Sequence, residues 1–172
     1  LGNLLVIIIA RELGPLATTL IVIARSGSAI ATEISVQKWS KEILAMELMG
    51  IDTKLFIVFP RIIASILSIM GLIIIFDVVA FIGGYLIALT VIYIPMDTFG
   101  QTLIDSFTFK DITAALAKSI LFGIAVPLIC CYYGFKPNSK FEIPIFVSKA
   151  VIRTLFVAII VNIAISTIFY LI

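Results

Sequence analysis

Two ionisable residues, Arg11 and Glu12, sit side by side between apolar stretches at 1–10 and 13–24. Charges buried in a membrane are costly and normally face a cavity, a partner or a substrate rather than lipid. If Arg25 marks one membrane boundary, Glu12 lies roughly 20 Å into a hydrocarbon core about 30 Å thick. Adjacent residues on a helix point apart, so the two charges compensate each other poorly. One turn away stand Ile8, Ile9, Pro15 and Leu16, none of them charged. Partners must come from another helix, another subunit, water or a bound head group. Pro15 has no N–H, which frees the carbonyl of Arg11, and Gly14 beside it loosens the helix further. Two roles stay open. Arg11, Glu12, Leu13 and Pro15 line a chamber for the polar end of an amphipathic ligand, or the pair is a structural tie between helices.

The elements that position these residues are apolar throughout. Of 172 residues, 62% are hydrophobic and only 13% charged, and the mean hydropathy is +1.27. A soluble domain carries about a quarter charged residues. The expected fold class is an all-α integral membrane protein with about four transmembrane helices and one amphipathic helix on the cytoplasmic side. The expected spans are 1–24, 56–94, 112–133 and 150–172, with the amphipathic segment at 28–50, all in one transmembrane domain. The block at 55–94 suits one long span or two short ones. Loop charges decide between them. Arg25, Lys38, Lys41, Lys54 and Arg61 precede or open this block, Lys136, Lys140, Lys149 and Arg153 surround the last loop, and the stretch 95–118 between them carries only Lys110 and Lys118, beside Asp97, Asp105 and Asp111. Cytoplasmic loops collect Lys and Arg, so one long span, bent near Gly83-Gly84 with an interfacial tail to Ile94, keeps both basic loops inside.

Val36, Trp39, Ile43 and Met46 recur at helical spacing. Lys38 and Glu42 are placed to pair across a turn, and Gly50 is a C-terminal stop. This helix either lies on lipid or docks into a soluble partner. Gly27, Ala31 and Ser35 form one ridge of small residues and Ala115, Ser119 and Gly123 another; such ridges let helices approach closely in lipid. Asp77 is expected near the outer surface, solvated.

Several functions are excluded. There is no histidine, so His catalysis, His metal ligation and a histidine switch are gone. The adjacent Cys130 and Cys131 fit neither a zinc pair nor a redox motif and read as packing residues. No metal site and no cofactor is expected. A net charge of +2 argues against a nucleic-acid partner. No phosphate-binding loop of the G-x-x-x-x-G-K-S/T type occurs, so ATP hydrolysis is not expected on this chain, and with no His and no paired Asp or Cys–base arrangement an intramembrane enzyme is not expected either. It begins at Leu1 without a signal-peptide pattern, and a preceding N-terminal part is expected.

The segments RELGP at 11–15, ARSGSAIATEIS at 24–35, EILAMELMGIDT at 42–53 and PRIIA at 60–64 resemble the MlaE-type permease family, the membrane subunits of MCE-associated phospholipid ABC transporters. Gly83-Gly84 and the Cys-Tyr-Tyr-Gly run at 131–134 fit more loosely. There are departures. Family members carry an interfacial helix and another membrane helix before the position of Leu1. A Gly-Val-Gly-Arg-Ala-Thr-Thr pattern is replaced by residues 143–149, and the role of its arginine is not carried over. Ala24 and Thr53 replace a usual Gly and Pro.

The resemblance implies a permease that moves phospholipids between the inner membrane and an MCE-type periplasmic carrier. Its implied partners are a second copy of itself, a separate P-loop ATPase subunit, an MCE-domain periplasmic protein and phospholipid. It places Arg11-Glu12 at the lipid cavity and makes the 28–50 region the ATPase-coupling helix, with Glu33, Glu42, Glu47 and Asp52 as the candidate contacts. The implied location is the inner membrane of a Gram-negative-type bacterium, or an organelle membrane. The competing reading is a non-ABC channel or scaffold whose Arg11-Glu12 pair is structural.

Overall fold

A computed structural model describes residues 12–91 and 109–171. Five α-helices cover most of them. Helix α1 spans Gly14–Trp39 and contains a π-helical turn at Ile23–Gly27. Helix α2 is Glu42–Leu48, α3 is Thr53–Val91, α4 is Phe109–Gly134 and α5 is Ile143–Leu171, entered through a 3-10 turn at Lys140–Glu142. Helices α1, α3, α4 and α5 are long and apolar enough to cross a membrane. The chain is an all-α integral membrane protein.

Local chemistry sets the helix ends. Pro15 occupies the first turn of α1, where a missing N–H costs nothing. Thr18 and Thr19 turn their hydroxyls back onto the carbonyls of Gly14 and Pro15, at 2.8 and 2.6 Å. Below the π-helical turn, the Ser28 hydroxyl donates to the Ala24 carbonyl at 2.7 Å. The first helix therefore does not stop near Arg25, as expected from the charge there, but runs on to Trp39. It breaks at Ser40 and at Lys41, whose φ of 63° is left-handed.

The segment expected as one amphipathic helix over 28–50 is thus the lower half of α1, a turn, and the seven-residue α2. Lys38 and Glu42 lie on opposite sides of that break and do not pair. Lys38 Nζ instead donates to the Phe135 carbonyl at 2.7 Å and to Asn138 Oδ1 at 2.9 Å, while Glu42 Oε1 accepts from the Ser40 hydroxyl at 2.9 Å. Of the four residues at helical spacing, Ile43 is buried and Met46 half-buried, but Val36 and Trp39 are exposed. Gly50, at φ +79°, ends the turn after α2. Asp52 Oδ1 then accepts from the backbone N–H groups of Lys54 and Leu55 and caps α3.

The block at 55–94 is one helix as far as Val91, and its expected tail to Ile94 passes outside the described residues. Helix α5 starts seven residues before the expected 150, because Pro144 is accommodated in its first turn.

Helix α4 is the hub. Half of its apolar stretch is buried within the chain, against 11% for α3. Its core face is Ala114, Phe122, Val126 and Cys130, joined by Ile23, Ile69 and Ala158 from the other three long helices. Small residues make the approach possible. A Cβ on Gly123 would lie 2.6 Å from the Ile66 Cα, and one on Gly134 would lie 3.1 Å from the Ala31 carbonyl oxygen. Both ridges of small residues therefore contribute to helix contacts: Gly27, Ala31 and Ser35 are buried, and Ser35 donates to the Gly134 carbonyl at 3.1 Å. Cys130 and Cys131 are free and buried.

Candidate functional site

Glu12 enters the bundle just above the proline turn of α1. Its Oε2 accepts from Asn162 Nδ2 of α5 at 2.8 Å. Its Oε1 lies 3.7 Å from Lys118 Nζ of α4. Lys118 also donates to the Ser166 hydroxyl of α5 at 2.8 Å. The partners that one helix could not supply thus come from two others. The depths agree: Lys118 lies about 24 Å along α4 from Gly134, and Asn162 about 29 Å along α5 from Ile143.

The two charges of this pair are unequally placed. The Lys118 side chain is 1% exposed, whereas that of Glu12 is 41% exposed. An ammonium sealed among helices needs its carboxylate and hydroxyl partners, since an uncompensated charge there is strongly destabilising. The carboxylate keeps one open side. A polar ligand end can reach Glu12 there without dismantling the bundle, while the Asn162 amide oxygen is buried with no hydrogen-bond partner.

The other expected residues divide. Arg11 lies outside the described residues. Leu13 is exposed and Pro15 buried, so Leu13 can contribute a wall and Pro15 shapes the turn. Asp77 is not simply solvated as expected. Its Oδ1 is buried without a hydrogen-bond partner, at a cavity of about 400 Å³ between α3 and α4. Among the described residues, no group of three His, Cys, Asp or Glu side chains could hold a metal.

The four carboxylates at the opposite end each have an intramolecular bond. Glu33 pairs with Arg61 at 3.0 Å. Glu47 accepts from the Thr53 hydroxyl at 3.1 Å. Glu42 holds Ser40, and Asp52 caps α3. All four remain exposed, beside exposed Leu44, Leu48, Met49 and Phe56.

Sequence reasoning missed Lys118, Asn162 and Ser166. Lys118 counts in the sequence among the charges of 95–118, yet it stands well inside Phe109–Gly134. Asn162 interrupts the run Val157 to Ile165, a signal as plain as the one at Glu12.

This arrangement agrees with what similar proteins are. A probable ABC transporter permease protein from Rickettsia prowazekii is 33% identical over 140 residues, covering 78% of this chain and 52% of the relative. The intermembrane phospholipid transport system permease protein MlaE of Haemophilus influenzae is 29% identical over 136 residues, again covering 78% and 52%. The chloroplastic protein TRIGALACTOSYLDIACYLGLYCEROL 1 of Arabidopsis thaliana is 28% identical over 134 residues, 78% of this chain and 38% of that protein. The chain spans about half the length of the curated bacterial relatives it matches. Because the family model Permease MlaE matches residues 1–168, and the RELGP turn it includes is the one that delivers Glu12 to Lys118 and Asn162, the chain belongs to the MlaE permease family.

Proposed function

We propose that this chain is the membrane-spanning permease of an ABC transporter that moves phospholipids between the inner membrane and an MCE-type periplasmic carrier. The observation that carries the reading is the half-open Glu12 carboxylate, held by Lys118 and Asn162 while one side stays free. A charged residue inside a membrane bundle marks a substrate path by default, and a phospholipid is a ligand with both a polar end and apolar tails. The partners follow: a second copy of the chain, a separate P-loop ATPase and an MCE-domain protein. The ATPase would engage α2 and the carboxylates Glu33, Glu42, Glu47 and Asp52. The chain itself performs no covalent chemistry; it changes the shape of a lipid chamber lined by Arg11, Glu12, Leu13 and Pro15. The membrane is a bacterial inner membrane, or an organelle membrane, as the chloroplastic relative suggests.

The Lys118 contact also favours a second reading, in which Glu12 is only a tie between helices of a channel or scaffold. Glu12→Gln, which keeps an oxygen beside the sealed Lys118 ammonium, separates the two in the full-length protein with its partners. Vesicle-to-vesicle phospholipid transfer should fall about tenfold, the effect of losing roughly 1.4 kcal/mol at one contact, while the assembly still purifies intact. Loss of the assembly with unchanged specific transfer would instead establish the tie.

A further inference from the structure

The cavity between α3 and α4 carries chemistry that the Glu12 site does not use. It encloses about 400 Å³. Met70, Ile73, Phe81 and Leu116 give it apolar walls, and Asp77 and Asp111 give it two carboxylates. None of its described lining residues is basic. Asp111 is 5% exposed. Asp77 Oδ1 meets no solvent and accepts no hydrogen bond. A carboxylate oxygen shut into an apolar wall without a donor costs free energy, and a ligand that brings both an N–H and a positive charge removes that cost.

The position fits a lipid head group. Asp77 lies about 36 Å along α3 from Thr53, and Asp111 about 35 Å along α4 from Gly134. Both carboxylates therefore sit at the same end of this antiparallel pair, remote from the turns around α2. That end reaches the boundary where head groups meet hydrocarbon. An acyl chain can follow the apolar wall towards Leu116 while the head group stays at the carboxylates.

We propose that this cavity holds the primary ammonium end of a phospholipid head group, with Asp77 as its acceptor, and so makes the permease selective for amine-bearing lipids. The inference deepens the lipid-permease reading and rests on it. The chemistry orders three head groups. A primary ammonium satisfies both the charge and the orphaned oxygen. A trimethylammonium satisfies only the charge. A glycerol head group brings neither a positive charge nor an N–H to Asp77.

The test uses the full-length protein with its ATPase partner, equilibrated with bilayers of equal phosphatidylethanolamine, phosphatidylcholine and phosphatidylglycerol, and lipid mass spectrometry of what the purified assembly retains. Phosphatidylethanolamine should exceed phosphatidylglycerol about tenfold, with phosphatidylcholine between, since a hydrogen bond to a charged group is worth that much. Asp77→Asn should bring the ratio near unity, and Asp77→Glu should keep it. Equal retention of all three lipids by the unaltered protein, or an undiminished preference in Asp77→Asn, overturns the proposal while leaving a lipid permease. Retention of no phospholipid at all overturns the permease reading instead. A structure of the full assembly with a protein side chain seated on Asp77 also overturns the proposal.

Discussion

The two ends of this bundle handle charge in opposite ways. At the Glu12 end, the partners come from helices far away in sequence: Glu12 meets Lys118 and Asn162, and Lys118 meets Ser166. At the α2 end, most carboxylates bond within a few residues: Glu42 to Ser40, Glu47 to Thr53, Asp52 to the N–H groups that follow it. The difference follows from the medium. Inside hydrocarbon no water can stand in for a partner, so a charge is tolerated only where helices converge on it. At a wet end, water satisfies whatever the local turn does not, and the carboxylates are left to shape turns.

That contrast orders the effects of substitution. Lys118→Ala strikes the sealed ammonium and leaves Glu12 without its cation; it should lower thermal stability in detergent by about 3 kcal/mol, and adding Glu12→Ala should recover part of the loss, as removal of both partners does for buried pairs. An additive double variant would mean the two residues are not coupled. Asp52→Ala removes a helix cap and should cost about 1 kcal/mol in the same assay, with Asp52→Asn nearly silent. Glu33→Gln breaks the exposed pair with Arg61 and should shift stability by no more than about 0.5 kcal/mol; a loss as large as that of Lys118 would erase the distinction between the two ends. The charge reversals Glu42→Lys and Glu47→Lys should be the mildest for the fold, within about 0.5 kcal/mol. They should nonetheless reduce stimulation of the partner ATPase, and unchanged stimulation would remove α2 from the docking surface.

The sequence shows some of this and hides the rest for identifiable reasons. Long apolar runs reveal spans because bilayer thickness sets their length, and the loop charges were enough to read 55–94 as one span where α3 now lies. Arg11-Glu12 was visible because two charges interrupt a uniform background. Lys118 was less so: it falls inside the expected span 112–133, but its charge reads as one more of those in the stretch 95–118, and no local pattern announces that Glu12 and Ser166 reach it from other helices. The break after Trp39 was hidden too. It depends on Lys41 adopting a left-handed backbone, a choice that no side chain there announces, while Arg25 looked like a boundary and is only one residue of a π-helical turn. Asp77 was misjudged because distance along a helix says nothing about what the neighbouring helix covers.

The π-helical turn at Ile23–Gly27 has a consequence for phase. A wide turn amounts to one residue inserted into an α-helix, which rotates everything after it by about 100° relative to everything before. The two halves of α1 therefore address different neighbours from a single rod. The upper half delivers Glu12 to α4 and α5, while the lower half aims Ala31 and Ser35 at Gly134. Without that added residue, a straight helix could be in register with one of these contacts but not with both.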